Sequence, residues 1–577
     1  MARPRPAGRT RGARLSTRLF GAGLAFACAF VLTARPLLAQ TVTDPSDALY
    51  AELEVWEAEG LVPRLPALQP YPVQMVRRLL EHVAGNHAAS AAERRRAAWL
   101  LAQVDVPLHL SLHLEHRTAS DAGGPLVKAV IDPTLQGMLT SWLGGAARYQ
   151  LMAVRTDDGL ALPAFSGTRE DLIYDDAELD IGGQTLLLRQ ASHGSIGVGD
   201  GDGELLFQAG LSRQRVGPFW HNGVIVGAQA PQAGRFSLLL RRPAFTAHVA
   251  LYEVTATTDA GMGGATGKHV HLHAIDFHPT PWLDVGAFET MVSGPRLELL
   301  YFIPAVSYFH SQGLSGFADN ALVGVTARAT PLTGLDVKGV LYVDDTSFND
   351  LARLRFDTKY KLATQVGAAL SPAALFGRGQ VGPHQAFRLV TVDYTAVMPY
   401  MYTHVGAGGD ELNWLSYTNA GQSLGPALPP NADRVQLRAL FRARDDVERG
   451  LFDVEVNAAL VRHGNASAGI IPGRDGSVLD DGYLGDVPTF QPPFADPTGQ
   501  PVTRFLTQDV VEHTLQLGVA ASCTLDGGRL SAAGVERGPG AVTAAARYTL
   551  ELHDHAGLVE GASATAHFGE LSVAWRY

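Results

Sequence analysis

The strongest constraint on this chain is a hydrophobic alternation of period two, sustained over stretches of about ten residues. Leu108, Leu110, Leu112 and Leu114 alternate with His109, Ser111, His113 and Glu115. Leu515, Leu517, Val519 and Ala521 alternate with Thr514, Gln516 and Gly518. Val542, Ala544, Ala546, Tyr548, Leu550 and Leu552 do the same against Thr543, Ala545, Arg547, Thr549, Glu551 and His553. Successive side chains of a strand point to opposite faces, so each stretch has one greasy and one polar face. A soluble β-sandwich shows the same pattern, but its strands average only about five or six residues. Strands of this length, apolar on one side, predict an all-β transmembrane fold: an antiparallel outer-membrane β-barrel with its greasy face toward lipid. At roughly 26 residues per strand and connection, residues 105–577 hold an even number of strands near 18.

One hairpin shows what the interior must tolerate. Val435, Leu437, Ala439, Phe441 and Ala443 take the lipid face, which leaves Arg434, Arg438, Arg442 and Arg444 inward. Beyond a turn at 445–450, Phe452, Val454, Val456 and Ala458 face out, and Asp453, Glu455 and Asn457 face in. Charges on a lipid face are costly, so these belong in a polar lumen as cross-strand ion pairs. The expected register sets Arg444 by Asp453 and Arg442 by Glu455. Structural pairing is favoured for these charges over a role in ion selectivity.

The first hundred residues follow other rules. Arg3, Arg5, Arg9, Arg11, Arg14 and Arg18 precede an apolar run from Leu19 to Leu32, and Leu37-Leu38-Ala39 offers a small residue before a cut. This reads as a secretory signal peptide over residues 1–39, with a retained membrane anchor as the alternative. Without Cys28, which lies in that run, one thiol remains, Cys523, and it has no internal partner for a disulfide. Residues 40–104 are expected to form a small periplasmic helical bundle. Ser46 caps a first helix carrying Leu49, Leu53 and Trp56. After a Pro-containing break at 63–72, a second helix carries Val76, Leu79, Leu80 and Val83, and a third runs from about Ala88 to Val104. The run Arg94-Arg95-Arg96 reads as a solvated helix face. Each helix has one apolar stripe, so the bundle needs something to pack against.

Charge narrows the partners. The full chain carries a formal −11, and its first 39 residues hold seven Arg and no acid, so the remainder is more acidic still. That balance argues against a nucleic-acid partner. Gly569, Leu571, Val573, Trp575 and Tyr577 alternate with Glu570, Ser572, Ala574 and Arg576. This resembles the C-terminal recognition strand of bacterial outer-membrane barrels and implies the barrel-assembly machinery as a partner, through the strand ending at Tyr577.

Several stretches resemble the Wzi-like capsule assembly family of outer-membrane proteins. They include residues 47–53 (DALYAEL) with 60–63 (GLVP), and 278–286 (HPTPWLDVG). Others are 319–324 (DNALVG) with 341–345 (LYVDD), then Tyr394, 399–404 (PYMYTH), 421–425 (GQSLG) and 431–434 (NADR). The family's Trp-Gly-Pro-Gly stands here as Val216-Gly217-Pro218-Phe219, and Pro429 replaces a glycine. The resemblance covers most of residues 44–440. It implies an 18-stranded barrel with a periplasmic helical bundle, which holds capsular polysaccharide at the cell surface as a lectin-like anchor rather than an enzyme.

Other motifs carry less. His269, His271 and His273 alternate on one strand face, but no fourth ligand is near in sequence, and they read as polar lumen residues rather than a metal site. Residues 200–204 (DGDGE) look faintly like a calcium loop, but its sixth position is Leu205 rather than glycine and its twelfth Leu211 rather than glutamate, so they read as a turn. No catalytic elbow, zinc-protease helix or phosphate loop occurs, so no catalytic residue, metal or cofactor is assigned. Sugar contacts need aromatic and planar polar groups on loops: Trp220 with His221, Tyr308 with His310, and Trp414 with Tyr417. Each equally suits an aromatic girdle at the membrane interface. The expected function is binding of extracellular or capsular polysaccharide by a monomeric barrel in the outer membrane, in contact with its lipid. A porin-type channel is the alternative.

Overall fold

A computed structural model describes residue 45 and residues 47–577, except 121–124, 139, 141–142, 156–161, 166–173, 182–183, 200–203, 220, 258–263, 304–305, 317, 347–352, 354–359, 377–386, 405–411, 443–450, 465–504, 508–509 and 527–539. The expected signal peptide, Trp220, Arg444 and the 200–203 stretch lie outside the described residues.

Three helices come first. Helix α1 (Ala48–Ala58) is capped by Asp47, whose carboxylate accepts from Leu49 N at 2.9 Å; the expected cap, Ser46, lies outside the described residues. Helix α2 (Val73–Gly85) starts after Pro72, which suits a first turn whose N–H groups have no partner. Helix α3 (Ala91–Asp105) opens with a capping box: Glu93 N donates to Ser90 Oγ at 3.2 Å and Ser90 N to Glu93 Oε2 at 2.6 Å. This reciprocal cap sets the start three residues beyond the expected Ala88. Leu53, Trp56, Leu80, Val83 and Ala97, all at 0% exposure, form the common core of the three helices.

Eighteen strands of the described chain follow. They are β1 (Leu108–Ala119), β2 (Leu126–Met138), β3 (Leu143–Arg155), β4 (Gln184–Gly199), β5 (Leu205–Ser212) and β6 (Ala233–Arg242). Next come β7 (Phe245–Ala256), β8 (Ala265–Thr280), β9 (Leu283–Ser293), β10 (Asn320–Leu332), β11 (Leu335–Thr346) and β12 (Tyr360–Leu370). The last six are β13 (Phe387–Val397), β14 (Ala432–Arg442), β15 (Leu451–Gly464), β16 (Val511–Asp526), β17 (Ala541–Asp554) and β18 (Ser563–Arg576). Each pairs antiparallel with its neighbours, and β18 returns to β1 with Trp575 opposite Leu112, which closes the barrel. Closure removes sheet edges, the condition for a sheet to sit in lipid. A further strand, Tyr174–Ile181, pairs with residues 184–190 of β4, beyond the stretch 194–199 that pairs with β5.

The outward rows are greasy and uncovered: Leu114 is 60% exposed, Val323 55%, Val435 48% and Leu571 60%. Trp282, Trp575 and Tyr577 lie near one end of the wall, where α3 leads into β1 and the chain ends. Two-residue turns join β6 to β7, β8 to β9 and β10 to β11 at that same end, the last with Gly334 at φ +92°. Long connections occupy the opposite end. Two of them fold inward over their described residues, 213–219 with 221–232 and 398–404 with 412–431.

The β14–β15 hairpin keeps the expected faces but shifts the expected register by two residues. Arg442 stands opposite Asp453 and bonds it at 2.5 Å, while Arg438 reaches diagonally to Glu455 at 2.8 Å. A shift of two preserves every inward and outward side chain, so alternation alone does not exclude it.

Candidate functional site

The helical end is built on charge. On α1 and its C-terminal edge, Glu52, Glu54, Glu57 and Glu59 meet inward-facing arginines of β10, β13 and β14. Glu52 bonds Arg442 at 2.6 Å and Arg96 of α3 at 3.3 Å, and Glu54 lies 3.8 Å from Arg438. Glu57 bonds Arg328 at 2.8 Å. Glu59 and Glu93 share Arg388, at 2.6 and 2.8 Å. Arg64 bonds Asp284 beside the β8–β9 turn at 2.9 Å. Arg96 is therefore not part of a solvated face: it is buried, and its guanidinium also lies 4.6 Å from the Trp99 ring centroid. What the bundle packs against is the mouth of the barrel.

Burial and these cations compete at each carboxylate. At Glu52 burial pushes the pKa up, but Arg442 and Arg96 outweigh it and bring it down to about 2. At Glu54 burial wins over Arg438 and Lys338, and the carboxyl rises to about 7. At Glu59 burial wins over Arg388, with Glu93 adding repulsion, and it rises to about 8. A raised acid binds its proton more tightly in the docked state, so its contribution weakens as pH climbs from about 4.5 through the raised value. The lowered Glu52 contributes above about 4.5 and loses that contribution as pH falls toward 2. Docking of the helices is thus expected to be firmest near pH 5 and weaker by pH 8. Protease sensitivity of the 45–105 segment across that range measures it, and equal sensitivity at pH 5 and 8 refutes it.

The inward-folded connections fill the part of the lumen bounded mainly by β5–β14. Val216, Phe219, Val224, Ile225 and Val226 of the first, with Met401, Tyr402, Tyr417, Leu424 and Leu428 of the second, pack on Tyr252, Val270, Leu272, Phe288 and Tyr342 of the wall. Tyr402 and Tyr417 stack at 5.7 Å, and Tyr402 Oη donates to the Val224 carbonyl at 2.6 Å. Gly227 N donates to the Leu424 carbonyl at 2.8 Å and Asn419 Nδ2 to the Gln232 carbonyl at 2.9 Å, so the two connections form one plug. Buried lysines of the wall hold it. Lys268 Nζ donates to the carbonyl and hydroxyl of Thr418, both at 3.0 Å, and Lys361 Nζ to the Thr403 carbonyl at 3.2 Å. A two-residue ladder, Leu68–Gln69 with Arg215–Val216, ties plug to helices. Beside α1 and α3 remains a cavity of about 810 Å³, whose charged lining includes Arg96, Arg148, Arg213, Arg547 and Asp132.

Of the side chains singled out for sugar contact, the five described ones lie in the plug, at the loop end and on the outer wall. His221 is exposed within the plug, and its carbonyl accepts from Gln365 of β12 at 3.3 Å. Tyr417 is enclosed in the plug core. Trp414 is half-buried at the loop end, where the neighbouring Asn413 N donates to the Thr257 carbonyl at 2.9 Å. Tyr308 and exposed His310 lie on helix α4 (Tyr308–Ser315). That helix lies over the outside of the wall, where Tyr308 packs with Tyr301 on Met291 of β9. Arg434, Arg438 and Arg442 face inward and are buried, with half-buried Asp453 and Glu455.

Val270 and Leu272 take the lumen face, so His269, His271 and His273 face outward instead of lining the lumen. Tyr301 and Tyr308 roof them: the Tyr301 ring is 5.1 Å from His271 and the Tyr308 ring 4.2 Å from His273. Their alternation was legible, but which row lipid would see depended on a connection that covers it.

An eighteen-stranded antiparallel ring with apolar outer rows defines an outer-membrane-type β-barrel, here with a helical end and a plugged lumen. No protein-family model matches the sequence, and no curated protein matches it. Among solved structures it is similar to Wzi of Escherichia coli, an outer-membrane protein involved in group 1 capsule assembly and described as a carbohydrate-binding β-barrel. The two are 11% identical, and the match covers 93% of this chain and 99% of that one at a TM-score of 0.52. At that identity the likeness is one of fold. OprD of Pseudomonas aeruginosa is 9% identical, with 82% of this chain and 94% of that one covered at a TM-score of 0.43. OpdK of the same organism, solved with vanillate, is 9% identical over 82% and 98% at the same score.

Proposed function

We propose that this chain is a non-catalytic outer-membrane barrel that binds an extracellular or capsular polysaccharide at its loop end and holds it at the cell surface. The observation that carries the reading is the plug. Two connections that would otherwise border an open lumen are spent on filling it, which suits an anchor better than a solute channel. The barrel fold, similar to that of a carbohydrate-binding barrel, supports the same reading. Short turns face the periplasm in barrels of this class, so the helical end is assigned there and residues 1–39 to a signal peptide. Trp414 and His310 are the contact positions favoured here, because Tyr308 and Tyr417 are enclosed and His221 sits within the plug. Each contact is weak, and repetition along a polymer supplies avidity.

Deleting the gene and measuring cell-bound against released polysaccharide, with total synthesis as control, tests the reading. Polymer moving to the medium at unchanged total is the expected result. Unchanged retention removes the anchor role for that polymer. The charged 810 Å³ cavity is the feature that favours a channel as second reading.

A further inference from the structure

We propose that His513, Asp554 and His555 form a binding site for a divalent transition-metal ion of the zinc type, on the outer rim of the barrel at the loop end. His513 lies on the outward row of β16, and Asp554 is its direct cross-strand partner on β17. His555 follows at the start of the β17–β18 turn. One donor atom from each of the three lies within 4.8 Å of the other two. Two imidazoles and a carboxylate are a set that zinc and its neighbours accept, whereas calcium and magnesium prefer oxygen ligands alone. Tetrahedral coordination with bonds of roughly 2.0–2.2 Å needs the donors somewhat closer. The exposed side chains of His513 and Asp554 have freedom to close that gap.

The arrangement of His555 is the independent observation. Its backbone sits in the left-handed region at φ 57°, which is uncommon for a residue with a Cβ. Its Nδ1 lies 3.1 Å from the Val511 carbonyl and, as an N–H, donates to it. That bond selects the tautomer whose Nε2 carries a lone pair, the arrangement that orients metal-bound histidines. Val511 is two residues before His513 on the same strand, so the bond holds the His555 ring beside the strand that carries His513. His513 and Asp554 are exposed, so the cluster is open to solvent. Bound metal staples the β17–β18 turn to the start of β16. The site does not depend on the polysaccharide reading.

The test uses the full chain, refolded in detergent micelles without a polyhistidine tag and stripped with chelator. Zn2+ is titrated by calorimetry, and Co2+ by its visible absorption. The expected result is one saturable site, a Co2+ spectrum of four-coordinate type, and a higher unfolding temperature with metal. His513→Ala and His555→Ala are each expected to weaken binding at least tenfold, and Cys523→Ser to leave it unchanged. Heat-modifiable migration on gels reports that each variant folds. Should an alanine variant fail to fold, His513→Gln and Asp554→Asn replace it, with the same loss expected. No saturable binding at millimolar Zn2+, or binding that survives the ligand substitutions, overturns the proposal.

Discussion

Replacing Arg442 with leucine is expected to unlatch α1 from the barrel mouth, at a cost of about 3–5 kcal/mol to docking. Arg442 is buried between Glu52, at 2.6 Å, and Asp453, at 2.5 Å. Leucine fills part of the space but leaves two carboxylates facing a site with one cation fewer. Arg96, 3.3 Å from Glu52, compensates only in part. Because the penalty is mostly that of uncompensated charge, the double variant Arg442→Leu with Glu52→Gln should recover a good share of the loss. Amide exchange of residues 48–58 in micelles measures both. If α1 keeps its protection in the single variant, the charge latch is not what holds the helices.

The second large effect concerns the plug. Replacing residues 399–430 by a short Gly-Ser turn between β13 and β14 is expected to raise conductance in planar bilayers several-fold over the full chain. The segment contributes Met401, Tyr402, Tyr417, Leu424 and Leu428 to the lumen core, and water would take their place. The wall should survive, because its strands are held by hydrogen bonds to one another and by lipid contact rather than by the plug. Lys268 and Lys361 would lose Thr418 and Thr403 as partners, but both would gain water. Heat-modifiable migration confirms a folded barrel before recording. Identical traces from the two chains would mean that the 398–431 connection is not the barrier.

The barrel was legible because its signal is local. Alternation in β1, β16, β17 and β18 places each side chain on a face without reference to any other strand, and lipid on one side makes the pattern strict. The greasy rows at Leu108–Leu114 and Leu515–Val519 are the exposed rows of the structure. The inward placement of Arg434, Arg438 and Arg442 follows from the same rule. Their partners were less legible. The hairpin pattern gives Asp453 and Glu455 in a register two residues off, and it says nothing of the four acids of α1. A signal was present: Glu52, Glu54, Glu57 and Glu59 crowd a helix that also carries Leu49, Leu53 and Trp56. Acids so close to a buried stripe require cations from elsewhere.

The sequence by itself determined the class of fold and the two faces of its strands, since a period of two acts residue by residue along one strand. It also set the helical segment before the barrel, through the capping box at Ser90 and the apolar stripe of α2. Only the tertiary structure decided what fills the barrel and what covers it. Tyr402 and Tyr417 turn inward onto Tyr342, Tyr301 and Tyr308 roof the outer histidines, and His513 meets Asp554 and His555 across a rim. These meetings join residues far apart in the chain. A connection carries no periodicity to say whether it points into the lumen, over the wall or away, and its direction is fixed by the partners available when the barrel closes.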